Sequence, residues 1–343
     1  MAMKLPEEDL KLLALFVHRN KITKEDAKSA IDIALKMGLS LEEVLLKNKL
    51  ISPREWDEWK RGGGKLPELK GYKIIKKLGE GGSSIVYLAE DEKNKKIIAL
   101  KVLRKDLKVD EKSFIKEGKL LIKIKHPNIV RAYKLAQQKD LLYLVMEFIE
   151  GETALDRLLK GKKFNEEEAI NTILSISKAL EHLEKNGIVH RDVKPGNIMV
   201  PRRGEAKLID LGLAVEKGYV QNGESIAGTP YYISPEQAKG DFVDQRSDIY
   251  SLGVSLFHMV TGELPFEGSD KREVMRAHME KSLSSKALKE RTFTPLIAYF
   301  IKKMTAKEKE IRYQRLSDLI EDLEKKIKGY REFKREGRVE RPK

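Results

Sequence analysis

The sequence predicts an α+β protein of two lobes, a small strand-rich lobe followed by a larger helical one, with a small all-helical segment ahead of both. Three observations predict it. Short β-branched and apolar runs, Tyr72 to Leu78, Ile85 to Ala89, Ile97 to Leu103 and Leu141 to Phe148, follow one another with turn residues between them. From about Asn165 the texture becomes helical, with Ile170, Ile173, Ser177, Leu180 and Leu183 on one face. Strands first and helices second argue for a sheet lobe followed by a helical lobe. The run Arg61-Gly62-Gly63-Gly64-Lys65-Leu66-Pro67 breaks both lobes from what precedes them.

The first sixty residues read as short helices. Ser40-Leu41-Glu42-Glu43 and Ser52-Pro53-Arg54-Glu55 match a capping box, the second with Pro at the first helical position, and Thr23-Lys24-Glu25-Asp26 is a weaker version. Ala27, Ala30, Ile31, Ala34 and Leu35 keep helical spacing, and Gly38 stands where a helix end favours a left-handed residue. Ile22-Thr23 and Ile51-Ser52 resemble two starts of one pattern 29 residues apart. In the helical lobe, Asn165 with Glu168 forms a capping pair and Gly187 closes the helix.

Composition bounds the function. The chain has 343 residues, 41% hydrophobic and 36% charged, enough to bury a core. It has no Cys, which excludes a disulfide framework, a thiolate metal site and a cysteine nucleophile. No apolar run approaches a membrane span, and the charged start lacks a signal-peptide apolar region, so the expected location is the cytoplasm. The formal charge is +14, but Lys and Glu are mixed along the chain, and no nucleic-acid partner is expected. Only the end is one-sided, with nine Lys/Arg against three Glu from Lys325 to Lys343.

The chemistry concentrates in an ordered series of motifs. Leu78-Gly79-Glu80-Gly81-Gly82-Ser83-Ser84-Ile85-Val86 is a Gly-rich turn between strands, where backbone N–H groups can approach phosphates because no Cβ blocks them. Ala99-Leu100-Lys101 places a lysine inside an apolar strand, a costly position unless an anion meets it or the side chain reaches solvent. His190-Arg191-Asp192-Val193-Lys194-Pro195-Gly196-Asn197 gathers a base, two cations and an amide. Leu208-Ile209-Asp210-Leu211-Gly212 then puts a carboxylate at the end of an apolar strand. Asn197 and Asp210 are oxygen ligands of the kind Mg²⁺ takes while it also holds phosphate oxygens. Gly228-Thr229-Pro230, Ser234-Pro235-Glu236 and Ser247-Asp248-Ile249-Tyr250-Ser251-Leu252-Gly253 follow.

Through these motifs, residues from about 70 to 328 resemble the protein Ser/Thr kinases, most of all the eukaryotic-like kinases of bacteria. The resemblance implies a bilobal protein kinase fold, with a kinase N-lobe over 69–149 and C-lobe over 150–328. It implies transfer of the γ-phosphoryl group of ATP, with Mg²⁺, to Ser/Thr hydroxyls of protein substrates. Gly79, Glu80, Gly81, Gly82, Ser83 and Ser84 are then expected over the phosphates, and Val86 and Ala99 around the adenine. Lys101 would hold the α- and β-phosphates and pair with Glu117. Met146 would be the gatekeeper, and the backbones of Glu147 and Ile149 would bond the adenine. Asp192 would orient the substrate hydroxyl and accept its proton, Lys194 would steady the transferred group, and Asn197 and Asp210 would bind Mg²⁺. Asp248 would brace the catalytic loop, and Glu236 would pair with Arg312. Thr229 would contact Asp192 and Lys194.

Some positions depart from the family pattern. Ser84 replaces the third glycine of the loop, Leu211 replaces Phe after Asp210, and Gly118 follows Glu117 inside its helix, where Gly costs about 1 kcal/mol relative to Ala. That glycine either eases displacement of the helix or is tolerated by packing. Ser225 is the preferred phosphorylation site of the 210–236 activation segment, whose charge would pair with Arg191. Residues 1–60 form the expected regulatory or partner-binding domain, 61–68 the linker and 329–343 a basic tail. With no span after the kinase, the expected signal is intracellular. The alternatives are a pseudokinase scaffold, against which Lys101, Asp192, Asn197 and Asp210 are all present, and a small-molecule kinase, against which 228–236 supplies a peptide-docking segment.

Overall fold

The computed structural model describes residues 5, 7–18, 21–37, 39–52, 56, 67–80, 83–104, 110–216, 229–283 and 294–335. Contacts divide the chain into two compact units, residues 1–68 and 69–343. The expected features at Gly38, Pro53 to Glu55, Arg61 to Leu66, Gly81, Gly82, Ser225, Gly228 and 336–343 lie outside the described residues.

The first unit contains α1 (Glu7–His18), α2 (Lys24–Met37) and α3 (Leu41–Lys47). Its core gathers Phe16, Ala30, Ala34, Leu41, Val44, Leu45 and Trp56. Ser40 caps α3 reciprocally with Glu43, and the Thr23 hydroxyl accepts from the Asp26 N–H at 3.0 Å to start α2. The 29-residue echo in the sequence has a backbone counterpart. Lys21 N–H donates to the Phe16 carbonyl at 2.9 Å and Leu50 N–H to Leu45 at 3.0 Å; Ala27 N–H donates to Thr23 and Trp56 N–H to Ser52, each at 3.0 Å. Each residue of the second set lies 29 positions after its counterpart. Ile22 and Ile51 are both buried behind these junctions.

The second unit begins with an antiparallel sheet of β1 (Tyr72–Glu80), β2 (Ser84–Asp91), β3 (Ile97–Leu103), β4 (Ala132–Gln138) and β5 (Leu141–Glu147), in the order β1-β2-β3-β5-β4. Helix α4 (Glu111–Lys123) packs against β4. Side chains alternate across β3 as strand geometry requires. Leu100 and Val102 join Tyr143 and Val145 in one cluster, while Ala99 and Leu103 join Phe114 and Leu121 of α4 in another. Lys101 lies between Ala99 and Leu103 on the α4 side. Gly118 has a packing reason: a Cβ there would lie 3.0 Å from Leu135 Cδ1 and 3.3 Å from Leu144 Cδ1, so the glycine lets α4 approach the sheet.

The helical part contains α5 (Ala154–Leu159), α6 (Glu166–Lys185), α7 (Pro235–Lys239), α8 (Gln245–Thr261), α9 (Lys271–Glu280), α10 (Pro295–Met304) and α11 (Leu316–Arg335). Asn165 caps α6 with Glu168, and Gly187 follows it at φ 69°. Every residue of α8 from Ser247 to Thr261 is buried. Gly253 permits this: a Cβ there would sit 2.7 Å from Met304 Cβ and 2.8 Å from Thr305 Cγ2. Short strands β6 (Gly151–Thr153), β8 (Ile198–Pro201) and β9 (Lys207–Leu208) form one small sheet, and β7 (Ile188–Val189) pairs with β10 (Val215–Glu216). No helix among the described residues is long and apolar enough to cross a membrane.

Candidate active site

Lys101 and Glu117 meet because β3 turns the lysine toward α4. Lys101 Nζ donates to Glu117 Oε1 at 2.6 Å and to Asp210 Oδ2 at 3.1 Å. Burial alone would lower the Lys101 pKa, but the carboxylates of Asp210 and Glu117 outweigh it and hold the ammonium charged. Glu117 is pushed up, chiefly by burial, against the pull of Lys101. Asp210 is held low: burial opposes ionisation, but Lys101 and the Gly212 N–H favour it. That N–H donates to Asp210 Oδ1 at 2.7 Å, and a Cβ on Gly212 would lie 3.0 Å from the same oxygen. Leu211 is buried in the main core, so Leu fills the apolar position there.

Asp192 lies on the loop between β7 and β8. Its Oδ1 accepts from the Thr229 N–H at 3.1 Å and hydroxyl at 2.8 Å. Its Oδ2 accepts from Lys194 Nζ at 2.6 Å and Asn197 Nδ2 at 3.1 Å. Lys194 Nζ also donates to Thr229 Oγ1 at 2.6 Å, closing a triangle of carboxylate, cation and hydroxyl.

This loop is hung from α8. Asp248 Oδ2 accepts the His190 N–H and Oδ1 the Arg191 N–H, each at 2.8 Å. Burial drives the Asp248 pKa up, while these two donors favour the carboxylate. Arg191 has φ 69°, a left-handed conformation unusual for a side-chain-bearing residue, and its carbonyl accepts from Gln237 Nε2 at 2.9 Å. His190 Nε2 bonds the Asp210 carbonyl at 2.8 Å and its Nδ1 accepts from the Asp192 N–H at 3.2 Å, so both ring nitrogens serve the loop. Behind it, Arg312 meets Glu236 with two bonds, at 2.7 and 2.9 Å, and Ser247 donates to the same carboxylate at 2.5 Å.

The structure thus brings Lys101, Glu117 and Asp210 together, and Asp192, Lys194, Asn197 and Thr229 together. Ala99 and Met146 are register partners across β3 and β5, both buried, and Val86 and Ile149 pack against the same core. Glu147 N–H donates to the Arg131 carbonyl at 2.9 Å, and its carboxylate accepts from Arg131 N–H and Lys207 Nζ, so both groups are committed within the fold. Gly79 and Glu80 end β1, and the buried Ser84 opens β2. The Glu80 carboxylate is bound by Arg104 and Lys77, contacts that sequence reasoning missed; the only signal was a lone arginine three residues after Lys101.

The donor set fits Mg²⁺. Asn197 Nδ2 is committed to the Asp192 carbonyl at 2.8 Å and to its carboxylate, which leaves the amide oxygen as the acceptor of that side chain. One amide oxygen and one carboxylate suit an ion that keeps waters and phosphate oxygens as its other ligands. Among the described residues, no group of three or more His, Cys, Asp or Glu forms a dedicated metal cage.

Comparison with known proteins gives the family. The protein kinase domain model matches residues 72–326, and the chain belongs to that family. It is 37% identical to a probable serine/threonine-protein kinase of Clostridium perfringens, over 74% of this chain and 38% of that protein. It is 34% identical to serine/threonine-protein kinase PrkC of Bacillus subtilis (74% and 40%) and 35% identical to PknB of Mycobacterium tuberculosis (74% and 42%). The chain therefore spans about two fifths of the length of these relatives.

Proposed function

We propose that the chain is a protein serine/threonine kinase that transfers the γ-phosphoryl group of Mg-ATP to hydroxyls of protein substrates. The observation that carries this is Asp192 held by Lys194, Asn197 and Thr229, together with a formed Lys101–Glu117–Asp210 set. Phosphoryl transfer has a loose transition state with charge spread over oxygens, so positioned cations and a positioned hydroxyl do most of the work. Lys101, fixed by Glu117, receives the α- and β-phosphates. The Gly79 to Ser84 turn covers the triphosphate, and Val86, Ala99 and Met146 enclose the base with the Glu147 and Ile149 backbones. Because the Glu147 N–H is already used, its carbonyl is the group left for the base edge. Asp192 orients the substrate hydroxyl and takes its proton, and Lys194 neutralises the group in transit. Asn197 and Asp210 hold Mg²⁺, which when bound neutralises charge on the phosphate oxygens.

The finer assignments belong to the same proposal. Residues 1–60 bind a partner or signal, 61–68 link them to the two lobes at 69–149 and 150–328, and 329–343 form the tail. Ser225 is an autophosphorylation site in a cytoplasmic enzyme. The test is transfer from labelled ATP with Mg²⁺ by the purified chain and by Asp210→Asn, followed by mapping of modified residues. A labelled wild type beside a silent variant is expected. Two silent chains, with residues 65–343 also silent, would favour a scaffold.

A further inference from the structure

The Gly-rich turn contains an acidic residue at its mouth. Glu80 pairs with Ile85 and Ser84 with Leu103, so both stand at the turn end of the β1–β2 pairing, and the end of β3 is their neighbour. A carboxylate there is two residues from where backbone N–H groups must receive a polyanion, and like charges at such range repel. The structure gives this carboxylate two cations. Arg104 Nη1 binds Glu80 Oε1 and Lys77 Nζ binds Oε2. The Arg104 and Glu80 side chains are each only 14% exposed, so the pair is largely shielded from solvent and salt. The same residue holds the turn by its backbone: Arg104 N–H donates to the Ser83 carbonyl at 2.9 Å. Arg104 therefore grips the hairpin tip on both sides of Gly81 and Gly82.

We infer that Arg104 is a positioning residue for nucleotide binding: with Lys77 it holds the Glu80 carboxylate in place beside the phosphate-binding turn and cancels its charge. The inference rests on the kinase reading above. It places the effect on ATP affinity, because the contacts of Arg104 to the Glu80 carboxylate and the Ser83 carbonyl lie in the turn assigned to the phosphates.

The test uses the full chain, with KM and kcat for Mg-ATP and direct binding of a fluorescent ATP analogue. Arg104→Ala sets the Glu80 carboxylate loose, and the expected result is a rise in KM and Kd of about tenfold, or about 1.4 kcal/mol, with kcat within about threefold of wild type. Adding Glu80→Gln removes the loosened charge and should bring KM back to within about threefold; a general loss of structure would not be repaired this way. Arg104→Lys keeps the charge and should stay close to wild type, which keeps the inference testable if Arg104→Ala loses its far-UV circular dichroism. An unmoved KM in Arg104→Ala, a double variant no better than the single, or Arg104→Lys as impaired as Arg104→Ala would overturn it. A wild type that neither binds nor turns over ATP would overturn the kinase reading and this inference together.

Discussion

Arg312 is completely buried and spends every donor. Its Nη1 and Nη2 take the two oxygens of Glu236 at 2.7 and 2.9 Å, and its Nε, Nη1 and Nη2 also reach the carbonyls of Ala306, Arg246 and Lys307 at 2.7 to 2.9 Å. Arg312→Ala leaves the Glu236 carboxylate in the interior with Ser247 as its remaining side-chain partner. Removing one partner of a buried, hydrogen-bonded ion pair costs about 3–5 kcal/mol. For a unit of this size each kcal/mol lowers Tm by roughly 2–4 °C, so a fall of roughly 10 °C is expected. The assay is thermal unfolding of the full chain at pH 7 by far-UV circular dichroism, with tryptophan fluorescence alongside. Both tryptophans, Trp56 and Trp59, belong to the first unit, so the fluorescence transition should stay in place while the dichroism transition falls. Glu236→Leu combined with Arg312→Met should recover most of the loss, because no charge is then stranded. The effect has a pH signature. Burial would raise the Glu236 pKa, but its bonds to Arg312 and Ser247 hold it below the usual carboxylate range. A carboxylate lowered in the folded state contributes stability above its unfolded pKa and loses it as pH falls through the folded value. The gap between wild type and Arg312→Ala should therefore narrow in acid. A Tm change under about 3 °C, or full rescue by Lys, which lacks the five-donor fork, would refute the reasoning.

Thr229→Val removes the hydroxyl shared by Asp192 and Lys194; on the proposed function kcat should fall by about 10²-fold through misplacement of Asp192, with KM for ATP nearly unchanged in steady-state assays. Gly253→Ala should destabilise the second unit by about 1–3 kcal/mol in denaturant titration, because Met304 Cβ and Thr305 Cγ2 lie too close for a new methyl. Burial lowers His258 to about 4, and burial with the charge of Lys307 lowers His278 to about 3, from the ordinary 6.5. Below pH 6.5 the unfolded chain takes up protons that the folded chain refuses, so stability should fall as pH drops from 6.5 toward 3. His278→Gln should flatten that slope in urea titrations at stepped pH, and an unchanged slope would count against it.

Much of this was legible in the chain because local rules operated where the signals were strong. The run Ile97 to Leu103 is a strand with those bounds, and the other three expected strands differ only at their ends. The caps at Ser40 and Asn165 are formed as read. Strand β4 was not read, because Ala132 to Gln138 is an edge strand with polar residues on its exposed side and no clean alternation. Strands β6 to β10 span two to four residues, too short for any period to show. Helix α8 has no polar face, so amphipathic spacing could not reveal it, and the Ser247 to Gly253 motif was read there without a helix. The grip of Arg104 on Glu80 depends on the register of three strands, and the role of Gly118 on two leucines brought over from β4 and β5. Neither relation is a property of neighbouring residues.

Helix α8, enclosed on every side, divides the site into two inheritances. Asp192, Lys194, Asn197 and Thr229 are tied through Asp248 to a helix that cannot shift without opening the interior. Lys101 and Glu117 belong to the sheet and α4. Asp210, whose carbonyl bonds His190 Nε2, also bonds Lys101 at 3.1 Å, and Leu211 beside it bonds Glu117 through its backbone, so two neighbouring residues join the sets. The two sets thus rest on different parts of the fold, and a change in either one reaches the other through Asp210 and Leu211.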